Sequence, residues 1–252
     1  LELPSRTIFE NLSKNVDPIN IFKQKNNLMK IIGSSLQEVF EEKTLHLINN
    51  KIHDYKSLGE RALLEKLLNY LVLVNSMVGI QISKNISTSE NMTLSIIGLK
   101  SLCLGDSKHA LKYLNEFYKK WHSNGLVIEK WFEIMASLNV SSQGLKFIKN
   151  LLKHEAFDFK NPNNLRAVLN TFQKENILLF HANDSSGYKF ISEQIEMIDK
   201  NNPQVAARLI LPLTRFKNYT TRRKNKIKNV LRSINKPFIS SDLSEIIEKA
   251  LV

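Results

Sequence analysis

A chain of 252 residues with 42% hydrophobic and 24% charged side chains has the balance of a folded globular protein and enough length for a substantial core. No apolar run nears the roughly 20 residues needed to cross a bilayer, and 71-LVLVNSMVGI-80 is broken by Asn75 and Ser76, which excludes a membrane-spanning helix. A formal net charge of +12 leaves acidic partners open.

The first residues, LELPSRTIFE, have no initiator methionine, basic n-region or hydrophobic h-region, so no signal peptide is read there and the chain is expected to begin inside a longer protein. Helix start signals recur almost throughout, whereas alternating β-branched runs are nearly absent; the fold reads as all-α. Asp17-Pro18 opens a long amphipathic stretch with Ile21, Phe22, Leu28, Ile32, Leu36, Val39 and Phe40 at helical spacing. Ser57 and Glu60 form a capping-box pattern ahead of 61-RALLEKLLNYLVLV-74. Cys103, flanked by Leu102 and Leu104, reads as a small core residue. A lone cysteine allows no internal disulfide and suits a reducing compartment, and a cytoplasmic location is expected.

A helix near 91–104 should stop at Gly105, and one near 107–122 should end before Gly125. Further starts fall at about Leu126, Ser142, Pro162, Gly187, Pro203, Thr221 and Ser241. From residue 91 onward a helix pair recurs about every 35 to 40 residues, the period of stacked helical hairpins, with no repeat consensus in sequence. The expected architecture is a single all-helical domain over residues 1–252, an irregular armadillo- or HEAT-like α-solenoid arranged as a superhelical bundle.

Two helix starts share a design. In 200-KNNPQVAAR-208, Asn202 caps, Pro203 takes the first helical position, and Gln204 and Arg208 fall four apart on one face. In 161-NPNNLR-166, Asn161 and Pro162 do the same ahead of Arg166. A cation so near the positive end of a helix dipole gains nothing from that dipole, so Arg208 asks for another explanation. The plain reading is that both arginines are solvated or form ordinary structural ion pairs.

Charge is unevenly placed. Between Asp199 and Asp242 there is no acid, while Lys200, Arg208, Arg215, Lys217, Arg222, Arg223, Lys224, Lys226, Lys228, Arg232 and Lys236 supply eleven cations. The stretch could bind phosphates, but it lacks aromatic residues interleaved for base stacking. Ile227, Val230, Leu231 and Ile234 give helix 221–234 an apolar stripe, and the cations read as its solvated face. Catalytic apparatus is missing. His46, His53, His109, His122, His154 and His181 are scattered, and His154-Glu155 begins like H-E-x-x-H but has Asp158 where the second histidine belongs. Glu41, Glu42, Glu193 and Glu196 read as solvated helix faces. No catalytic residue and no metal ligand is assigned within the chain.

The segments 121-WHSNGLVIEKWFEIMA-136, 153-KHEAFDFKNPNNLRAVLNTF-172, 180-FHANDSSGYKFISEQI-195 and 201-NNPQVAARLILPLTRFKNY-219 together resemble the C-terminal helical domain of the aminopeptidase N (alanyl aminopeptidase) family, gluzincin zinc metallopeptidases. The resemblance runs from about Trp121 to Val252, with several motifs in order; over the first 120 residues it rests on the helix pattern and on LPS near the start. The ending SSDLSEIIEKALV is similar to that family's C-terminus.

The resemblance implies a longer zinc aminopeptidase that removes N-terminal residues from peptides, with H-E-x-x-H and a distant glutamate in a catalytic domain outside this chain. It implies that this segment caps the active site, leaves an internal cavity for peptides, and is inactive alone. By the same resemblance Gln204 lies near the pocket for the substrate's N-terminal side chain, and Arg208 and Arg166 face the cavity on the leaving-group side. A guanidinium there could bind the peptide's far carboxylate by charge-assisted hydrogen bonds. Ser185, Ala207 and Asn164 depart from the family pattern, which usually has a glycine, a serine and a basic residue; the first could change a turn, the others a cavity lining. The implied partners are the catalytic domain of the same polypeptide and peptide substrates, with zinc held outside this chain, in a monomer, with no membrane and no nucleic acid. The other reading is a stand-alone helical-repeat scaffold that binds an acidic protein or nucleic acid through residues 200–236.

Overall fold

The computed structural model describes residues 2–49, 57–105, 107–138, 144–234 and 238–252, apart from the side chains of residues 107–109. His53, the helix start at Ser142, Lys236 and the side chain of His109 lie outside that set. All regular elements among the described residues are helical, as the start signals require, and one isolated parallel bridge joins Val16 to Tyr219. The contacts divide the chain into two compact units, Leu1–Leu3 with Lys23–Val140 and Pro4–Phe22 with Ser141–Val252.

The long amphipathic stretch resolves into two helices, Pro18–Ser35, which enters the first unit at Lys23, and Gln37–Asn49. Its buried line differs from the predicted one. Leu28, Leu36 and Val39 are exposed, while Met29, Ile32 and Phe40 pack into a cluster with Leu64, Leu67, Leu68, Leu71, Ile82, Ile86, Leu94 and Ile97. Gly33 sets this rotation: a Cβ there would come within 3.1 Å of the Tyr70 carbonyl oxygen, so the glycine lets this helix approach Leu58–Leu73 closely. The predicted capping box is absent, because the Ser57 hydroxyl accepts from the Arg61 guanidinium at 2.9 Å instead of from a backbone N–H.

Helices Met77–Ser87 and Met92–Leu104 form the tightest hairpin of this unit. Ser76 and Asn91 cap them, accepting from the N–H groups of Gly79 and Leu94. Gly98 lies at the crossing, where a Cβ would meet the Ser83 carbonyl oxygen at 2.5 Å and the Ser87 nitrogen at 2.7 Å. Helices Ser107–Trp121 and Gly125–Ser137 complete the unit.

The second unit holds helices Leu145–Leu151, Pro162–Leu165, Thr171–Glu175, Ile177–Phe180, Ser186–Asp199, Pro203–Leu209, Leu211–Thr214, Thr221–Ser233 and Ser241–Leu251, with a π-helical turn at Arg166–Asn170. Phe172, Phe180, Phe190 and Tyr188 meet edge to face in its core. Chain order did not suggest that residues 4–22 belong here. Val16 donates its N–H to the Asn218 carbonyl at 2.9 Å and accepts from Thr220 at 3.0 Å, and the Asn218 amide donates to the Glu10 carbonyl at 2.9 Å.

Below that bridge lies a buried polar network. Arg223, 4% exposed, donates to Asp17 Oδ2 at 2.7 Å, to the His181 carbonyl at 2.7 Å and to the Tyr188 hydroxyl at 3.0 Å. Burial works against its charge, but the bonds to Asp17 and Tyr188 prevail and keep its proton firmly held. Arg6 pairs with Glu10 at 2.6 Å and lies 3.3 Å from His181 Nε2. Since a guanidinium can only donate, Nε2 is the accepting nitrogen, and Nδ1 carries the hydrogen donated to the Tyr188 hydroxyl at 2.7 Å. His181 is therefore neutral, its pKa driven well below 6.5 by burial and by the flanking charges of Arg6 and Arg223.

Buried His181 couples stability to pH, and two backbone positions, Ser185 in this unit and Gly98 in the first, test the packing. A histidine whose pKa is depressed in the fold contributes stability that is present above about pH 6.5 and lost as pH falls, because the unfolded chain takes the proton first. The unfolding free energy should decline from pH 7 toward pH 5 at no more than about 1.4 kcal/mol per pH unit from this group. Glu10, whose pKa burial raises, acts in the opposite sense nearer pH 4.5. Urea titrations at stepped pH should show that slope in the parent chain and a flatter one in His181→Gln; equal slopes would contradict the assignment. At Ser185 the left-handed backbone (φ 65°) costs a serine more than a glycine, so Ser185→Gly should gain about 0.5–1 kcal/mol, whereas Gly98→Ala should lose about 1–3 kcal/mol.

Candidate functional site

The three residues singled out by the sequence all belong to the second unit. Asn202 caps helix Pro203–Leu209 by accepting the Val205 N–H at 3.2 Å, with Pro203 in the first turn where its missing donor costs nothing. Val205, Ala206 and Leu209 are buried, so the opposite face, four residues apart, carries Gln204 and Arg208 exposed. No hydrogen bond or ion pair to either side chain is present among the described residues. The expected mismatch with the helix dipole is overturned: this helix has seven residues, so Arg208 sits in its last turn, where a cation is favoured.

Asn161 accepts the Asn163 N–H at 2.9 Å and so opens Pro162–Leu165. The helix then widens. Thr171 donates its N–H to the Arg166 carbonyl five residues back, the bond that defines the π turn Arg166–Asn170. Leu165, Ala167, Val168 and Leu169 are all buried, which leaves Arg166 as the exposed residue of this segment's start, with Nη1 donating to Asn163 Oδ1 at 3.3 Å. The two arginine-bearing segments pack together, and Gln173 ties them by donating Nε2 to the Leu209 carbonyl at 3.0 Å. Neither arginine has a carboxylate partner among the described residues; of the plain reading, the ion-pair half does not describe them, and their exposure fits the solvated half.

The other marked positions have identifiable work. Ser185 adopts the left-handed conformation for which a glycine is suited, and Gly187 abuts the Leu179 and Phe180 carbonyls closely enough to exclude a Cβ. Asn164 is buried and accepts the Asp158 N–H at 3.3 Å, holding the turn before Pro162. Ala207 is half-buried. Cys103 is half-buried in the first unit, and burial pushes its thiol up to about 12. Two expectations about charge are corrected. Glu41 is not simply solvated, since its carboxylate accepts from the Ser76 hydroxyl at 2.6 Å. The cations of residues 200–236 are not one solvated face: Arg223 is buried in the network, Lys226 donates to the Asn183 carbonyl, and Lys228 donates to the Leu251 carbonyl at 3.3 Å.

Among the described residues, no three of His, Cys, Asp and Glu come together in a way that could hold a metal ion. His154 and Glu155 lie beyond the end of helix Leu145–Leu151, and the His154 ring accepts the Ala156 N–H at 3.2 Å. The described donors at His154 and Glu155 do not form a set that fits zinc. No described helix is long and apolar enough to cross a membrane.

Sequence reasoning missed Arg223 and the π turn. The stripe Ile227, Val230 and Ile234, extended back one turn, lands on Arg223, so a helical plot places that arginine on the buried side. Nothing in the residues 166–170 announces a widened turn.

Comparison with known proteins agrees with this architecture. The family model described as a domain of unknown function, DUF3458_C, ARM repeats, matches residues 1–252. The chain is 31% identical over 256 residues to aminopeptidase N of Escherichia coli strain K12, covering 100% of this chain and 29% of that protein. Aminopeptidase N of Haemophilus influenzae gives the same 31% identity and the same coverage. The crystal structure of Legionella pneumophila aminopeptidase A in complex with aspartic acid shares the fold, with a TM-score of 0.87 at 24% identity, over 100% of this chain and 31% of that one. The chain thus spans less than a third of the length of these relatives. With a match from its first residue to its last, the chain belongs to the DUF3458_C family of ARM-repeat domains.

Proposed function

We propose that this segment is the non-catalytic, substrate-binding part of a longer zinc-dependent aminopeptidase. It caps the active site, lines the cavity through which peptides reach it, and holds the C-terminal side of the peptide. Zinc and its ligands belong to a catalytic domain of the same polypeptide, outside this segment. The similarity to aminopeptidase N over the whole chain supports the activity.

The observation that carries the binding role is a pair of exposed arginines without acid partners among the described residues, on two packed helical segments, each opened by an Asn-Pro cap. Arg208 and Arg166 supply N–H forks to a carboxylate, and Gln204, one turn before Arg208, supplies an amide near the substrate's N-terminal side chain. The protein works as a cytoplasmic monomer. The alternative, a scaffold that binds an acidic protein or nucleic acid through residues 200–236, loses Arg223, which is buried against Asp17.

Arg208→Ala in the longer protein tests this. A peptide with a free C-terminal carboxylate should lose about ten- to hundredfold in kcat/KM, the value of one charge-assisted bond, while an aminoacyl anilide, which has no such group, should be cleaved nearly as before. Arg166→Ala should act in the same direction. Equal losses on peptide and anilide, with unchanged melting temperature, would return these arginines to a structural role.

A further inference from the structure

We infer that Asn163 is a positioning residue for Arg166, and that it makes Arg166 the fixed anchor and Arg208 the adaptable one for the peptide carboxylate; this rests on the function proposed above. The argument begins with the contrast between the two arginines. Both are exposed, yet Arg166 has a hydrogen bond to another side chain, Nη1 to Asn163 Oδ1 at 3.3 Å, and Arg208 has none among the described residues. Asn163 is itself fixed: its N–H is held by the Asn161 cap at 2.9 Å, and its carbonyl accepts the Arg166 N–H. Three residues apart on a helical turn, the two side chains are neighbours by geometry.

The chemistry of the partner matters as much as its position. An amide oxygen orients one guanidinium nitrogen without neutralising the cation, so most of the N–H donors and the full charge remain for an anion. A carboxylate at the same place would pair with Arg166 and compete with the substrate. The π turn begins at Arg166, whose carbonyl accepts from Thr171, so the backbone under the side chain is also set by an unusual and specific bond. A long side chain held in one arrangement before binding loses less freedom on binding, and that saving appears in affinity.

The experiment uses the longer protein and four forms: parent, Arg166→Ala, Asn163→Ala and Asn163→Asp. Initial rates are measured on a tripeptide with a free C-terminal carboxylate and on the same tripeptide as its C-terminal amide. Residue 163 is exposed in a first helical turn, where both substitutions are tolerated and aspartate is favoured by the dipole. Asn163→Ala should raise KM for the carboxylate peptide about three- to tenfold with kcat within about twofold, and leave the amide unchanged. Asn163→Asp should raise that KM further, because its charge occupies Arg166. If Arg166→Ala shows the carboxylate-specific loss and Asn163→Ala matches the parent, or Asn163→Asp merely equals Asn163→Ala, the positioning role is overturned while the functional reading stands. If Arg166→Ala itself fails to distinguish carboxylate from amide, the functional reading of Arg166 fails, and the inference falls with it.

Discussion

The second unit depends on one buried cation. Arg223 sits at 4% exposure on the apolar side of helix Thr221–Ser233, and a charge so placed persists only if its donors are satisfied. Asp17 accepts from Nε and Nη2, the His181 carbonyl and Tyr188 hydroxyl each accept from Nη1, and this requirement pulls residues 4–22 onto elements some two hundred positions later in the chain. Removing one partner of such a pair leaves the other uncompensated, at a cost of about 3–5 kcal/mol. The network thus fixes where the turn 181–185 lies, and that turn starts helix Ser186–Asp199.

From that helix the constraint passes to the site. Ser186–Asp199 packs against Pro203–Leu209, and at its end the buried Asp199 accepts both the backbone N–H and the hydroxyl of Ser240 at 2.6 Å, which caps the C-terminal helix Ser241–Leu251. Val205, Ala206 and Leu209 fill the resulting groove. What remains outward is a short row of polar side chains with no internal task. An exposed arginine paired with a neighbouring acid would add little to stability, so the lack of a carboxylate partner for Arg166 and Arg208 among the described residues sacrifices little. The cations of this basic stretch differ in setting: Arg223, Lys226 and Lys228 bond to the protein's own groups, while Arg208 is exposed with no hydrogen bond or ion pair among the described residues.

Much of this was legible in the residues. Cap chemistry and helical periodicity located the helices at Met92, Gly125, Pro162, Pro203, Thr221 and Ser241 to within a residue or two, because Asn, Ser and Pro act locally. That Gln204 and Arg208 share one face followed from their spacing. Long-range pairing was not legible: nothing in Asp17 points to Arg223, and the N-terminal segment was read in chain order. The predicted stripe held at Ile21, Phe22, Ile32 and Phe40 and failed at Leu28, Leu36 and Val39; it could not include Gly33, which has no hydrophobicity to count yet is a close contact point. The short helix under Arg208 misled the dipole argument for a related reason, since its end is set by tertiary packing and not by a local stop signal.

The central claim is that this segment holds the peptide's free carboxylate through its exposed arginines. A crystal structure of the longer protein with a slowly cleaved peptide bound tests it most directly. The account predicts the peptide's terminal carboxylate at about 3 Å from the guanidinium of Arg208 or Arg166, with the Arg166 side chain still hydrogen-bonded to Asn163. A peptide whose carboxylate lies in solvent or against cations of another domain, with both arginines untouched, would contradict it.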